Sequence, residues 1–205
     1  MTFRPLAIAA ILAFTVSTCG NSASSSDTSV SPLNTSTDFI VNPIEWKPCD
    51  SSTNTEVECG NIEVPFDYAD PDQGSFVLFV KKHNAANPAD RIGSMMVNPG
   101  GPGFGGSSLA DDAQYYFSQD LIDHFDIIAW DPRGTGESTP AVDCVDTFDE
   151  YFGLDSPPET PDEKQALIDA SQAFNDKCAE NSGTILPYIS TQASAQDINS
   201  LRLAL

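Results

Sequence analysis

Two glycine-rich loops constrain this chain more than any other feature. Asn98-Pro99-Gly100-Gly101-Pro102-Gly103-Phe104-Gly105-Gly106-Ser107 leaves a short apolar run, 93–98, and enters a stretch, 107–121, that can form a helix. Asp131-Pro132-Arg133-Gly134-Thr135-Gly136-Glu137-Ser138 leaves the run 125–130, which is apolar on both faces after Asp126. A strand of that kind is covered by helices on each side. Two alternating runs come first, 61–68 and 75–82, with turn chemistry at Ala69-Asp70-Pro71-Asp72-Gln73-Gly74, and they predict a hairpin. The order β-β-β-α-β gives an α/β fold whose sheet starts antiparallel and becomes parallel. Both glycine loops then lie at one edge of that sheet.

The five glycines of the first loop let the main chain approach a ligand and aim N–H groups at negative charge. Gly101, Gly103 and Gly106 match the dinucleotide pattern G-x-G-x-x-G, with Asp126 and Asp131 downstream. The pattern is weak alone, and here it follows a third strand rather than the first of a βαβ unit. An oxyanion hole for acyl transfer and a ligand-free turn are the other readings.

The net charge of −21, from 9 basic and 30 acidic side chains, repels phosphate backbones, so nucleic acid is not an expected partner. Most of this acidity is read as solvated surface. Met1–Val16 carries one early Arg and then an apolar run too short to span a bilayer, the plan of a secretory signal peptide. Cys19 stands where a bacterial lipoprotein would carry its lipid, and a Ser/Asn-rich tether follows. Lipid anchoring through Cys19 and simple secretion both remain open. Export makes an oxidising compartment the setting for Cys49, Cys59, Cys144 and Cys178. Three pairings are possible, and nearness in sequence favours Cys49–Cys59 and Cys144–Cys178. Neither pair has CxxC spacing, so no metal is expected, and no cofactor either.

Farther along, Thr160-Pro161-Asp162-Glu163 opens a helix with a cap, a first-turn proline and a capping box. Leu167, Ala170, Phe174 and Cys178 give it one buried face, and Gly183 stops it. A last helix from about Thr191 places Ile198, Leu201 and Leu205 on one face.

Taken together, NPGGPGFGGSS and FDIIAWDPRGTGES resemble the α/β-hydrolase superfamily. Within it the chain is most similar to the exported tripeptidyl-aminopeptidase and proline-iminopeptidase-like group, as is WKPC…ECGNIEVPFDYADP upstream. The resemblance covers about Ile44 to Leu205. Pro99 stands where iminopeptidases have His, which matches the tripeptidyl type. The resemblance implies that the Gly101 N–H is an oxyanion donor, with Asn98, Gly100, Pro102 and Gly103 shaping the loop. Asp131, Arg133, Gly134, Gly136 and Ser138 would form a structural turn.

The nucleophile elbow G-x-S-x-G is missing from these 205 residues; Gly105-Gly106-Ser107-Ser108-Leu109 fails at its last position. His83 and His124 are 41 residues apart, and both precede the place where the family puts its base, so both are read as surface residues. The resemblance extends to a T-x-x-x-x-x-D-x-x-x-L-R helix at Thr191–Arg202, which the elbow strand follows in the family. The expectation is therefore a signal peptide (1–18), a tether (19–43) and the N-terminal half of an α/β-hydrolase domain (44–205). That half carries a mixed, mostly parallel sheet, stops before its nucleophile and is inactive alone. Its lineage would be an exported serine hydrolase that releases residues from peptide N-termini through an acyl-enzyme, on the cell surface or outside it. The substrate would be a peptide or small acyl compound. An esterase or lipase of the same fold, and a non-catalytic acidic surface lipoprotein, are the alternatives. The edge at Ser94–Val97 would also be left unpaired.

Overall fold

Alternation of apolar and polar side chains builds the sheet, as the computed structural model of residues 39–49, 56–101 and 103–205 shows. The signal segment, Cys19, most of the tether and Pro102 lie outside the described residues. Strand β1 (Lys47–Pro48) is short, whereas β2 (Val57–Asp67) and β3 (Asp70–His83) form a long hairpin. Val57, Cys59, Ile62 and Val64 on β2 and Phe76, Leu78 and Val80 on β3 are buried. Strands β4 (Gly93–Val97) and β5 (Phe125–Trp130) complete the order β1-β2-β3-β5-β4.

Three of the four strand pairings are antiparallel, and only β4 with β5 is parallel. The expectation of a mostly parallel sheet therefore does not hold over the described residues. Short links such as the β2–β3 turn return the chain antiparallel, and only the β4–β5 connection is long enough for a crossover carrying helices. The hairpin is also tighter than expected. Asp67 pairs with Asp70, so the turn is Tyr68-Ala69, and a register shift between Pro65 and Asp67 absorbs the irregularity. This carries the ladder as far as Asp70, within the stretch read as loop.

The single helix expected over 107–121 is three short ones: α1 (Ser108–Asp111), α2 (Ala113–Tyr116) and α3 (Gln119–His124). Phe117 and Ser118 are extended and break the run. Buried positions are few, namely Ala110, Ala113 and Ile122, so no apolar stripe sustains a longer helix. After β5 come α4 (Asp149–Phe152), α5 (Pro161–Ser182) and α6 (Thr191–Ala204). The capping box opens α5 as read: Thr160 Oγ1 accepts from the Glu163 N–H at 3.2 Å, and Glu163 Oε2 accepts from the Thr160 N–H at 3.0 Å. Leu167, Ala170, Phe174 and Cys178 do share a face, but they are only half-buried.

On α6 the buried stripe is Ala193, Asp197, Ser200, Leu201 and Ala204, whereas Ile198 and Leu205 are exposed. Of the face expected there, only Leu201 is in the core. The stripe is set by a buried carboxylate, an arrangement hydrophobic periodicity cannot register.

One core lies between the sheet and α6, joining Ile62, Val64, Phe76, Leu78, Val80, Ile128, Trp130 and Leu201. The opposite face packs Val57, Ala110 and Ala129 around Cys49 and Cys59. Both disulfides, Cys49–Cys59 and Cys144–Cys178, are formed. Among the described residues no helix is long and apolar enough to cross a membrane.

Candidate active site

Because β4 and β5 run parallel in adjacent positions, their C-terminal ends open on the same edge, and both glycine loops leave from there. Asp131, the first residue after β5, joins them. It is 2% exposed, and its Oδ1 accepts the N–H groups of Gly106 and Ser107, each at 2.8 Å. Its Oδ2 accepts the Glu137 N–H at 2.9 Å. One carboxylate thus closes its own turn and pins the end of the first loop. Gly136, at φ 56°, lies against this carboxylate, where a Cβ would collide with Oδ2.

Ser138 secures the same turn to the sheet. Its Oγ donates to the Asp131 carbonyl at 2.6 Å and accepts from the Phe79 N–H at 2.9 Å. The Asp131 N–H donates in turn to the Phe79 carbonyl at 2.9 Å.

With its downstream end pinned, the first loop exposes Gly100, Gly101 and Gly103 and tucks Gly106 inside. The Gly100 N–H donates to Asn98 Oδ1 at 2.8 Å, and the Gly101 carbonyl accepts from the Phe104 N–H at 3.2 Å. Gly100 and Gly101 sit at φ 75° and 68°, the left-handed region that favours glycine. Among the described residues the Gly101 N–H meets no acceptor, and the residue is exposed. The loop therefore offers a main-chain donor at its tip. The amides at the start of the following helix, which a dinucleotide phosphate would need, are already taken by Asp131.

Arg133 is 1% exposed and lies flat in the interior. Its Nε and one terminal nitrogen donate to the two carboxylate oxygens of Asp197 at 2.7 and 2.6 Å. The carbonyls of Phe66, Tyr188 and Pro65 accept its remaining N–H groups at 2.9, 3.0 and 3.1 Å. Tyr68 adds its hydroxyl to Asp197 at 2.9 Å. Burial pushes the Asp197 carboxyl above the usual aspartate range, against the opposing pull of Arg133. Burial also raises the Tyr68 hydroxyl, and the Asp197 charge adds to the effect. This cluster ties α6 to the second loop and to the end of β2. Asp197 and Tyr68 were not anticipated as a cluster. The available signal was an aspartate at a core-facing position of α6 and one arginine in a glycine turn.

The histidines lie elsewhere. His83 is buried at the end of β3, not at the surface as expected, with Nδ1 3.1 Å from the Asn84 carbonyl oxygen and Nε2 3.7 Å from Glu56. It lies on the face of Phe79 and Lys81, opposite Phe76, Leu78 and Val80, and its strand partners on either side are the buried Val57 and Ile127. His124 is half-buried and meets the Asp120 carbonyl at 2.8 Å. Among the described residues no serine or cysteine pairs with either imidazole.

No family model matches the chain. Curated relatives do match it. It is 32% identical over 171 residues to the tripeptidyl aminopeptidase of Streptomyces coelicolor, which covers 79% of this chain and 31% of that protein. It is 31% identical over 173 residues to the serine protease Hip1 of Mycobacterium tuberculosis, covering 80% and 32%. Carboxylesterase B of the same organism is 31% identical over 169 residues, covering 78% and 32%. The chain thus spans about a third of the length of the relatives it matches.

Proposed function

We propose that this chain, a relative by sequence of the α/β-hydrolase-like peptidases, is the N-terminal part of an exported serine peptidase that removes residues from peptide N-termini. The single observation carrying this reading is the exposed Gly101, whose N–H has no acceptor among the described residues, on a loop whose end Asp131 holds in place. A donor fixed before reaction stabilises a developing oxyanion without reorganising at the moment of attack. A serine supplied from residues beyond this stretch would attack the carbonyl, and a histidine would carry its proton to the leaving amine. Asn98, Gly100 and Gly103 shape the loop, and the Asp131–Ser138 turn supports it. These 205 residues contain no G-x-S-x-G, so the stretch produced alone should be inactive.

Residues 1–18 act as a signal peptide and 19–43 as a tether, with lipid anchoring through Cys19 the open point. The two disulfides support an oxidising compartment. No cofactor enters the proposed chemistry.

The test uses protein produced with its downstream residues. A tripeptidyl arylamide with a free amino group should be cleaved much faster than its N-acetylated form, with little turnover of p-nitrophenyl acetate. The opposite order would support the second reading, an esterase, which the carboxylesterase relative favours.

A further inference from the structure

Away from the glycine loops, a cavity of about 460 Å³ lies between α4 and α5. Its floor is aromatic: the rings of Tyr151 and Phe174 have centroids 5.6 Å apart and are inclined at 30°. Its rim carries Glu150, Asp176 and Glu180 against the single cation Lys177. Lys177 Nζ is 3.2 Å from Glu180, so that charge is already engaged. Among the described residues neither Glu150 nor Asp176 has a cationic partner; Asp176 accepts only the Gln172 amide, at 2.8 Å. The far wall is anchored to α5 by the Cys144–Cys178 disulfide and by Ser182, whose Oγ donates to the Asp143 carbonyl at 2.8 Å.

We propose that this cavity binds a basic side chain, arginine before lysine, presented by an extended peptide. Two features select that occupant. Aromatic faces attract a cation and accept the apolar stem that carries it. Two carboxylates without a cation complete the charge, and a planar guanidinium both stacks and hydrogen-bonds where an ammonium only pairs. An anionic ligand is repelled by the rim, and a neutral apolar one would strip water from the carboxylates without repaying it. The site is independent of the hydrolase reading, since none of its residues belongs to the glycine loops.

The experiment is fluorescence anisotropy on the whole protein with dye-labelled acetyl-Ala-Ala-Arg-Ala-Ala-amide, whose acetyl cap blocks removal of N-terminal residues. Saturable binding is expected. Citrulline in place of arginine should weaken it about tenfold, roughly the loss of one charge-assisted contact. Tyr151→Leu and Asp176→Asn should each weaken it about fivefold or more, as for a cation–π or rim-charge loss. Asp120→Asn, on the exposed face of α3, should change nothing. Far-UV circular dichroism checks folding; should Tyr151→Leu unfold, the surface variant Asp176→Asn decides. Equal binding of the citrulline peptide, or an equal loss with Asp120→Asn, would mean only diffuse attraction to an acidic protein and overturn the proposal. Absence of binding, or spermidine competing as well as the peptide, would overturn it too.

Discussion

Arg133 and Asp197, 64 residues apart, meet inside the protein through two hydrogen bonds of 2.6 and 2.7 Å. With both groups removed from water, the pair is costly to break from one side. Asp197→Ala should destabilise the protein by about 3–5 kcal/mol, because it leaves a buried guanidinium without its counter-charge. Replacing both with apolar residues of similar size should cost less than the two single changes together. Urea unfolding of the four proteins of the cycle measures this directly.

Asp131 accepts three main-chain N–H groups at once. Asp131→Ala should leave the buried donors of Gly106 and Ser107 unmet, at about 1–3 kcal/mol each. Faster hydrogen exchange at those two amides, with slow exchange kept in β2 and β3, would identify the loop as the part released. Gly136→Ala should release it as well, since the new methyl group strikes the carboxylate from a strained φ.

The opening of α5 should depend on pH. The Glu159 and Thr160 N–H groups bonded to Glu163 hold its carboxyl below the usual glutamate range. A lowered carboxyl contributes stability above its unfolded pKa and loses it as pH falls through the lower folded value. Acidification through the glutamate range and below should therefore lower the protection of the Glu159 and Thr160 amides, read as exchange relative to each amide's intrinsic rate at the same pH. Glu163→Gln should abolish that pH dependence.

Strand β4 stands at the end of the strand order, bonded on one side to β5. An open apolar edge templates association. Residues 19–205 produced alone should scatter light and melt broadly, and Ser94→Lys, placing charge on that edge, should reduce the scattering. A sharp monomeric melt would contradict this.

Local chemistry explains how much of the structure was legible in the sequence. Alternation marked β2 and β3, an unbroken apolar run marked β5, the capping box placed the start of α5 at Pro161, and nearness in the chain chose the cysteine pairs that the structure contains. The glycine loops marked one edge of the sheet and carried the resemblance to the relatives that the chain matches. Periodicity failed where polar groups set burial: it put Ile198 and Leu205 inside α6, although Asp197 faces the core because Arg133 waits there. The single helix expected over 107–121 also crossed Phe117 and Ser118, where too little apolar surface exists to hold it. The bond from Asp131 to the first loop was equally invisible, because the carboxylate and the amides it accepts lie 24 and 25 positions apart.

The loop at Gly101 is proposed to serve a serine supplied from beyond Leu205. The most direct measurement is to treat the protein, produced with its downstream residues, with a fluorophosphonate and locate the modified residue by mass spectrometry. One labelled serine is expected, within a G-x-S-x-G soon after α6, with loss of peptide cleavage in step with labelling. No labelling, or labelling at Ser107 or Ser108 in the first loop, would contradict it.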